Sequence, residues 1–285
     1  MKIVSSLAAV REASQALRKK GRVGFVPTMG ALHEGHLSLL RRAKRENRST
    51  VVSVFVNPLQ FGPKEDLRRY PRNLRKDAEL LKRAGADLLF TPEPHAFYET
   101  DFQTEVKVQK LSQGLCGRSR PVHFAGVATV VLKLLGLVGP HTLYLGQKDY
   151  QQYRVLEQMV KDLAVPVDVR LCPIVREKDG LAMSSRNVFL TAQERKQAPA
   201  IHRALKEADK QVQRGLRDGR GLRQTVLKSL KAIGSGKVDY VEAVDARSLE
   251  SVVQLKAGQE ILVAAAVFFS KTRLIDNQLI RVKRA

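Results

Sequence analysis

Pro27-Thr28-Met29-Gly30-Ala31-Leu32-His33-Glu34-Gly35-His36 is the stretch on which the reading of this chain turns. An apolar run over residues 22–27 leads into it, and an amphipathic segment over residues 35–47 follows, so the decapeptide joins a predicted strand to a predicted helix. It contains His-x-Gly-His. Two imidazoles three residues apart can face the same way at a helix start, Gly35 lets a ligand approach the backbone, and the free N–H groups of a first helical turn favour phosphate. The combination suits a nucleoside triphosphate. The spacing alone can arise by chance, and paired histidines also serve as caps or core hydrogen-bonders. Its position straight after a strand and a glycine-bearing turn favours the functional reading.

Working outward, short apolar or β-branched runs alternate with longer amphipathic ones as far as residue 173. Strands are expected at 22–27, 50–56, 87–91, 141–146 and 165–171, and helices near 35–47, 70–84, 124–138 and 150–163. That alternation predicts an α/β fold, a Rossmann-like doubly wound parallel sheet whose ligands gather beyond the carboxyl ends of the strands. Past residue 174 the pattern changes to long charged helices near 192–214 and 222–233, then strands near 238–244, 261–269 and 279–282. We read residues 1–173 as a nucleotide- and substrate-binding domain and 174–285 as a smaller α+β lid domain, with Gly234-Ser235-Gly236 and the 215–221 segment as turns.

Composition narrows the class. A chain of 285 residues, 44% hydrophobic and 27% charged, is long enough for a sizeable core and is not compositionally disordered. Cys116 and Cys172 lie far apart in no metal-binding pattern, which argues against a disulfide framework or zinc site and fits a reducing cytoplasm. Arg11 and Glu12 interrupt the N-terminal apolar stretch before a signal-peptide core forms. The longest apolar run, 261–269, is half the length of a membrane span and suits a buried strand. A formal charge of +22 raises the question of nucleic acid. The basic residues are spread over helical faces without interleaved aromatics, so a solvated basic surface that also attracts anionic small molecules is the simpler account.

A second feature is Met183-Ser184-Ser185-Arg186, preceded by Lys178-Asp179-Gly180. Two hydroxyls and a guanidinium on one loop suit β- and γ-phosphates through charge-assisted hydrogen bonds; alone, the same residues also make a turn with a helix cap. Gln60, beside Asn57-Pro58 after a strand end, can donate and accept towards a ligand bearing hydroxyls and a carboxylate. Gln152, on a predicted helix, reads equally well as a surface residue. Met29 and Phe61 suit either apolar ligand contacts or the core. Arg120 and His123 precede a helix and fit phosphate, a neighbouring subunit or plain solvation equally. His95, His141 and His202 receive no role.

The pairing of the two motifs resembles the nucleotidyltransferase superfamily of class I aminoacyl-tRNA synthetases, with their HIGH and KMSKS motifs. Within it, PTMGALHEGHLSL, VNPLQFGPKEDLRRYPR, RPVHFAGVATVV, LGQKDYQQ, REKDGLAMSSRN and TRLIDN resemble, in order, the signature blocks of the pantothenate synthetase family. The resemblance implies a homodimer that condenses pantoate with β-alanine at the expense of Mg-ATP, releasing AMP and pyrophosphate. It places ATP against Met29, Gly30, Ala31, Leu32, His33, Glu34, Gly35 and His36, against Gly146, Gln147, Lys148 and Asp149, and against Val175, Met183, Ser184, Ser185 and Arg186. It places pantoate against Gln60 and Gln152, and makes His36 a proton donor. Ala125 and Gln147 depart from the family pattern, where a charged residue and Glu are common.

The implied chemistry is coherent. A carboxylate must attack the α-phosphorus before it can acylate an amine, and charge builds on the phosphoryl oxygens. His33, His36, Lys148, Ser184, Ser185 and Arg186 are the expected donors, with Mg²⁺ on the departing pyrophosphate and Asp149 near the nucleotide or the metal's shell. No triad or reactive cysteine calls for an acyl-enzyme. Two other classes share the histidine motif: an RNA-directed enzyme, for which little chain remains to read an anticodon, and a nucleotidyl transferase, whose product keeps the nucleotide.

Overall fold

The computed structural model describes residues 1–63, 65 and 67–283. Chain contacts divide it into two compact units. The first comprises Met1–Ser112, Arg120–Gln147 and Gln152–Pro173; the second comprises Gln113–Ser119, Lys148–Gln151 and Ile174–Ala285.

In the first unit, strands β1 (Lys2–Val4), β2 (Val23–Thr28), β3 (Ser49–Val54), β4 (Leu88–Phe90), β5 (Thr142–Gly146) and β6 (Asp168–Cys172) form one sheet in the order β1-β4-β3-β2-β5-β6. Every pairing is parallel. Helices α1 (Leu7–Arg18), α2 (Glu34–Glu46), α3 (Leu74–Arg83), α4 (Pro94–Phe97), α6 (His123–Val138) and α7 (Tyr150–Asp162) supply the crossovers that parallel strands require. Consecutive strand residues point to opposite faces. Phe25, Val51, Leu88 and Leu143 pack with Val10 of α1, Val131 of α6 and Met159 of α7, while Val26, Val52, Leu89 and Tyr144 pack with Leu40 of α2 and Leu81 of α3. A sheet covered on both faces is why its strands read as continuous apolar runs.

Among the first-unit elements, β1, α1 and the single-turn α4 lay outside the sequence reading. Strand β1 is three residues long, too short to show alternation, and pairs with β4 at the sheet edge. Helix α1 starts at Ser6, whose side chain accepts from Ala9 N, and buries only Val10, Ala13 and Ser14.

In the second unit, short helix α5 (Cys116–Ser119) and helices α8 (Ala192–Gln197), α9 (Ala200–Gln213) and α10 (Gly219–Lys231) accompany an antiparallel sheet of β7 (Gly236–Asp245), β8 (Glu260–Phe269) and β9 (Thr272–Arg281). Its core joins Leu205 and Val212 of α9, Val226 of α10 and Val263 and Val267 of β8. The single helix expected over 192–214 is two, because Pro199 lacks the N–H that would continue the ladder. The last strand begins seven residues before the expected 279: it pairs with β8 from Thr272 onward, and Asp276 and Asn277 are buried within it.

Candidate active site

Strands β2 and β5 pair only at Gly24–Thr142 and Phe25–Leu143, and each then runs on for three residues that pair only with its other neighbour. The O of Val23 accepts from His141 N, whereas the O atoms of Arg22 and Thr28 accept from Ser49 and Phe55 on the β3 side. Odd-numbered peptide groups of β2 therefore face β5. Pro27 is one of them, and its missing N–H falls where the ladder has already ended, which lets a proline stand in a central strand. Strand order reverses between β2 and β5, and a crevice beyond the carboxyl ends at such a reversal is where α/β sheets bind ligands. The histidine loop leaves β2 there, and Gly146 and Gln147 leave β5.

The loop is held in an uncommon shape. Gly30 has φ +81° and Ala31 φ +50°, a left-handed conformation that a residue with a Cβ adopts at a cost. Asp77, on α3 and 2% exposed, accepts from Ala31 N at 2.9 Å and from Leu32 N at 2.8 Å, one bond to each oxygen. Thr28 Oγ1 accepts from Gly30 N and donates to Ser53 O. His33 caps α2: its Nδ1 accepts from Gly35 N at 3.1 Å, and its own N–H donates to His36 Nδ1 at 3.3 Å. The rings lie 4.1 Å apart.

The N–H groups of Gly30, Ala31, Leu32, His33, Gly35 and His36 all have acceptors within the loop, in α2 or on Asp77. With both Nδ1 atoms accepting, each neutral ring carries its proton on Nε2. Glu34 is exposed and ion-paired with Arg41.

Gln60 lies on the 3-10 turn Pro58–Gln60 and is 6% exposed. Its Nε2 donates to Met29 Sδ at 2.9 Å and its Oε1 accepts from Asn57 Nδ2 at 3.2 Å, which brings it together with the histidine loop. Gln152 sits half-buried in the first turn of α7, directly after the β5 end. Phe61 packs edge-on against Tyr70.

In the second unit, residues 175–183 form a hairpin. Met183 N donates to Val175 O at 3.0 Å, Glu177 N to Leu181 O at 2.8 Å, and Gly180 N to Glu177 O at 2.9 Å. Ser184 caps the 3-10 turn Ser185–Phe189, its Oγ accepting from Arg186 N at 3.2 Å. The capping role and a ligand role are compatible, since a hydroxyl that accepts still has a proton to donate. Lys148 and Ser184 line one small cavity with Asn187 and Asp276. Lys148 Nζ lies 3.6 Å from Asp149 Oδ2, and its O accepts from Asn277 Nδ2 at 3.0 Å. Asp276, 4% exposed, takes both arms of Arg176 at 2.7 and 3.0 Å, tying β9 to the hairpin. Asp179, held below the usual carboxylate range by its hydrogen bond from Arg195, fastens the hairpin tip to α8.

Sequence reasoning missed Asp77, Asp276 and Asn277 as supporting residues. Each acts on a segment 45 to 129 residues away, and only Asp77, four positions after the α3 cap Asn73, carries a local signal, that of an ordinary first-turn acid. No helix among the described residues is long and apolar enough to cross a membrane.

The family model described as pantoate-beta-alanine ligase matches residues 2–279. A pantothenate synthetase of Thermotoga neapolitana is 50% identical over 98% of this chain and 100% of its own length, and one of Caldicellulosiruptor bescii is 46% identical over 99% and 100%. Among solved structures, the pantothenate synthetase of Thermus thermophilus superposes with a TM-score of 0.92 at 46% identity, covering 100% of both chains. The pantoate-beta-alanine ligase of Francisella tularensis, complexed with beta-gamma ATP and beta-alanine, gives 0.80 at 35% identity, covering 98% of this chain and 97% of that one.

Proposed function

The chain belongs to the pantoate-beta-alanine ligase family, and from that premise we propose how its own residues conduct the ATP-dependent condensation of (R)-pantoate with β-alanine. The reaction class is that of the family, and the RNA-directed and nucleotidyl-transfer readings are set aside with it.

The first half-reaction joins a pantoate carboxylate oxygen to the α-phosphorus of ATP. The bond from that phosphorus to the α,β-bridging oxygen breaks, pyrophosphate leaves, and pantoyl adenylate remains. In the second, the neutral amine of β-alanine attacks the acyl carbon, AMP leaves with the ester oxygen, and the amine gives up a proton. His33 and His36 donate from Nε2 to oxygens of the α-phosphoryl group, where the in-line transition state concentrates charge. Lys148, Ser184, Ser185 and Arg186 serve the β- and γ-phosphates of ATP, Met29 contacts the nucleotide, and Gln60 and Gln152 hold pantoate. Val175, Met183, Gly146 and Gln147 are assigned to the nucleotide as backbone and apolar contacts.

Magnesium prefers oxygen ligands and usually keeps several waters beside substrate phosphates. Asp149, with Lys148 at 3.6 Å, is the carboxylate we assign to that water shell, an arrangement that fits an ion carried on the triphosphate. When bound, it neutralises charge on the departing pyrophosphate. We further assign the protein to the cytoplasm as a homodimer, with residues 1–173 as the substrate-binding domain and 174–285 as the lid.

One observation carries the assignment of roles: both imidazoles of the His33–His36 pair accept a backbone N–H at Nδ1, which puts each ring's proton on Nε2. Protein incubated with Mg-ATP and pantoate is expected to accumulate enzyme-bound pantoyl adenylate, and β-alanine to trigger AMP release. His36→Ala should slow adenylate formation about a hundredfold, as loss of one such donor does elsewhere. AMP release at an unchanged rate without β-alanine would refute the two-step scheme.

A further inference from the structure

Arg120 and His123 belong to the first unit. Arg120 donates to Glu65 from Nε at 2.9 Å and from Nη2 at 2.5 Å, and its Nη1 lies 3.2 Å from His123 Nε2. A guanidinium has no acceptor to offer, so His123 Nε2 must be the acceptor and the ring proton sits on Nδ1. Nδ1 in turn lies 3.1 Å from the O of Gln60 and donates to it, and Arg120 Nη2 reaches the same oxygen at 3.3 Å. His123 is 8% exposed.

The other sides of Gln60 are equally constrained. Asn57 Nδ2 donates to Gln60 Oε1 and to Gly126 O, while Asn57 Oδ1 accepts from Tyr98 OH at 2.9 Å. A Cβ at Gly126 would stand 2.4 Å from Leu59 O, so α6 meets the 3-10 turn backbone to backbone. Burial raises the Tyr98 hydroxyl's pKa and keeps it a donor.

We propose that Arg120 and His123 are positioning residues for pantoate: they clamp the Gln60 carbonyl and so aim its side-chain amide, with Glu65 fixing the guanidinium. The fixed tautomer matters because it makes the clamp directional. Nδ1–H can only donate, and the acceptor placed before it is the main chain of the residue whose side chain meets substrate. Neither group is thereby available as a ligand for phosphate. The proposal rests on the assignment of Gln60 to pantoate.

The experiment is a double-mutant cycle on the full-length protein. KM for pantoate and for ATP, and kcat, are measured for wild type, His123→Phe, Gln60→Ala and the double variant. His123→Phe should raise KM for pantoate about tenfold, the equivalent of one lost hydrogen bond, and leave KM for ATP unchanged. In the Gln60→Ala background the same change should add less than about twofold, because the group it aims is gone. His123→Asn, which keeps an N–H near the Nδ1 position, should recover most of the loss. If His123→Phe does not fold, Arg120→Lys, which keeps the charge and loses the fork, should show the same selective rise. Fully additive effects, or equal increases in both KM values, would overturn the positioning role while leaving Gln60 assigned to pantoate. A Gln60→Ala variant with unchanged KM for pantoate would instead remove that assignment and the proposal with it.

Discussion

Asp77 holds the two backbone N–H groups that follow the left-handed turn at Gly30 and Ala31, one on each carboxylate oxygen. The carboxylate therefore fixes where His33 begins α2, and through the cap where both imidazoles point. Asp77→Asn replaces one acceptor with an NH2 group facing an N–H. Hydrogen bonds to charged groups contribute about 1.5–3 kcal/mol, so kcat/KM for ATP should fall roughly ten- to a hundredfold. A folded variant within twofold of wild type would show that the loop keeps its shape unaided. The histidines themselves were legible, since their spacing and their place after a strand are local facts. The occupation of the Ala31 and Leu32 N–H groups was not, because their acceptor, Asp77, lies 46 and 45 residues on in the chain.

At the scale of elements, prolines and buried polar residues separate what was readable from what was not. Pro27 is tolerated in β2 because its peptide group faces the end of β5 that does not pair with β2, and Pro199 divides the helix expected over 192–214. The polar residues of β9 fell outside the strand expected at 279–282, and Arg176 and Lys148 supply partners for Asp276 and Asn277. His141 joins three strands: its N–H donates to Val23 O, its O accepts from Asp168 N, and its Nδ1 accepts from Val23 N at 3.0 Å. Burial, with Arg18 and Arg22 nearby, lowers its pKa, and burial does the same for His202. A histidine whose folded pKa is depressed is neutral in the fold and protonated on unfolding, so the unfolded chain binds the extra proton. Stability is thus complete above the unfolded pKa of about 6.5 and declines as pH drops through it. Melting temperature should fall between about pH 7 and pH 5.5, and less steeply in His141→Gln, with His202 retaining its share. A variant slope as steep as that of wild type would rule out His141 as a contributor.

For the whole molecule, the distinctive bulk property is the formal charge of +22. A positive field raises the encounter rate and local concentration of a polyanion and leaves a zwitterion nearly unaffected. The Debye length falls from about 30 Å at 0.01 M salt to about 10 Å at 0.1 M, so KM for ATP should rise several-fold over that range while KM for β-alanine stays constant. Parallel changes in both would mean that salt acts on the fold instead of on attraction. The chain's own order of residues determined the class of fold, the strand-to-helix placement of the histidine motif and the family, because each depends on periodicity and spacing over a few tens of residues. Tertiary structure alone decided the short edge strand β1, the polar strand β9, the clamp by Asp77 and the seat of Gln60 between Met29, Asn57 and His123. Those depend on hydrogen bonds whose partners are distant in the chain, and a polar residue carries no mark of which distant group will satisfy it.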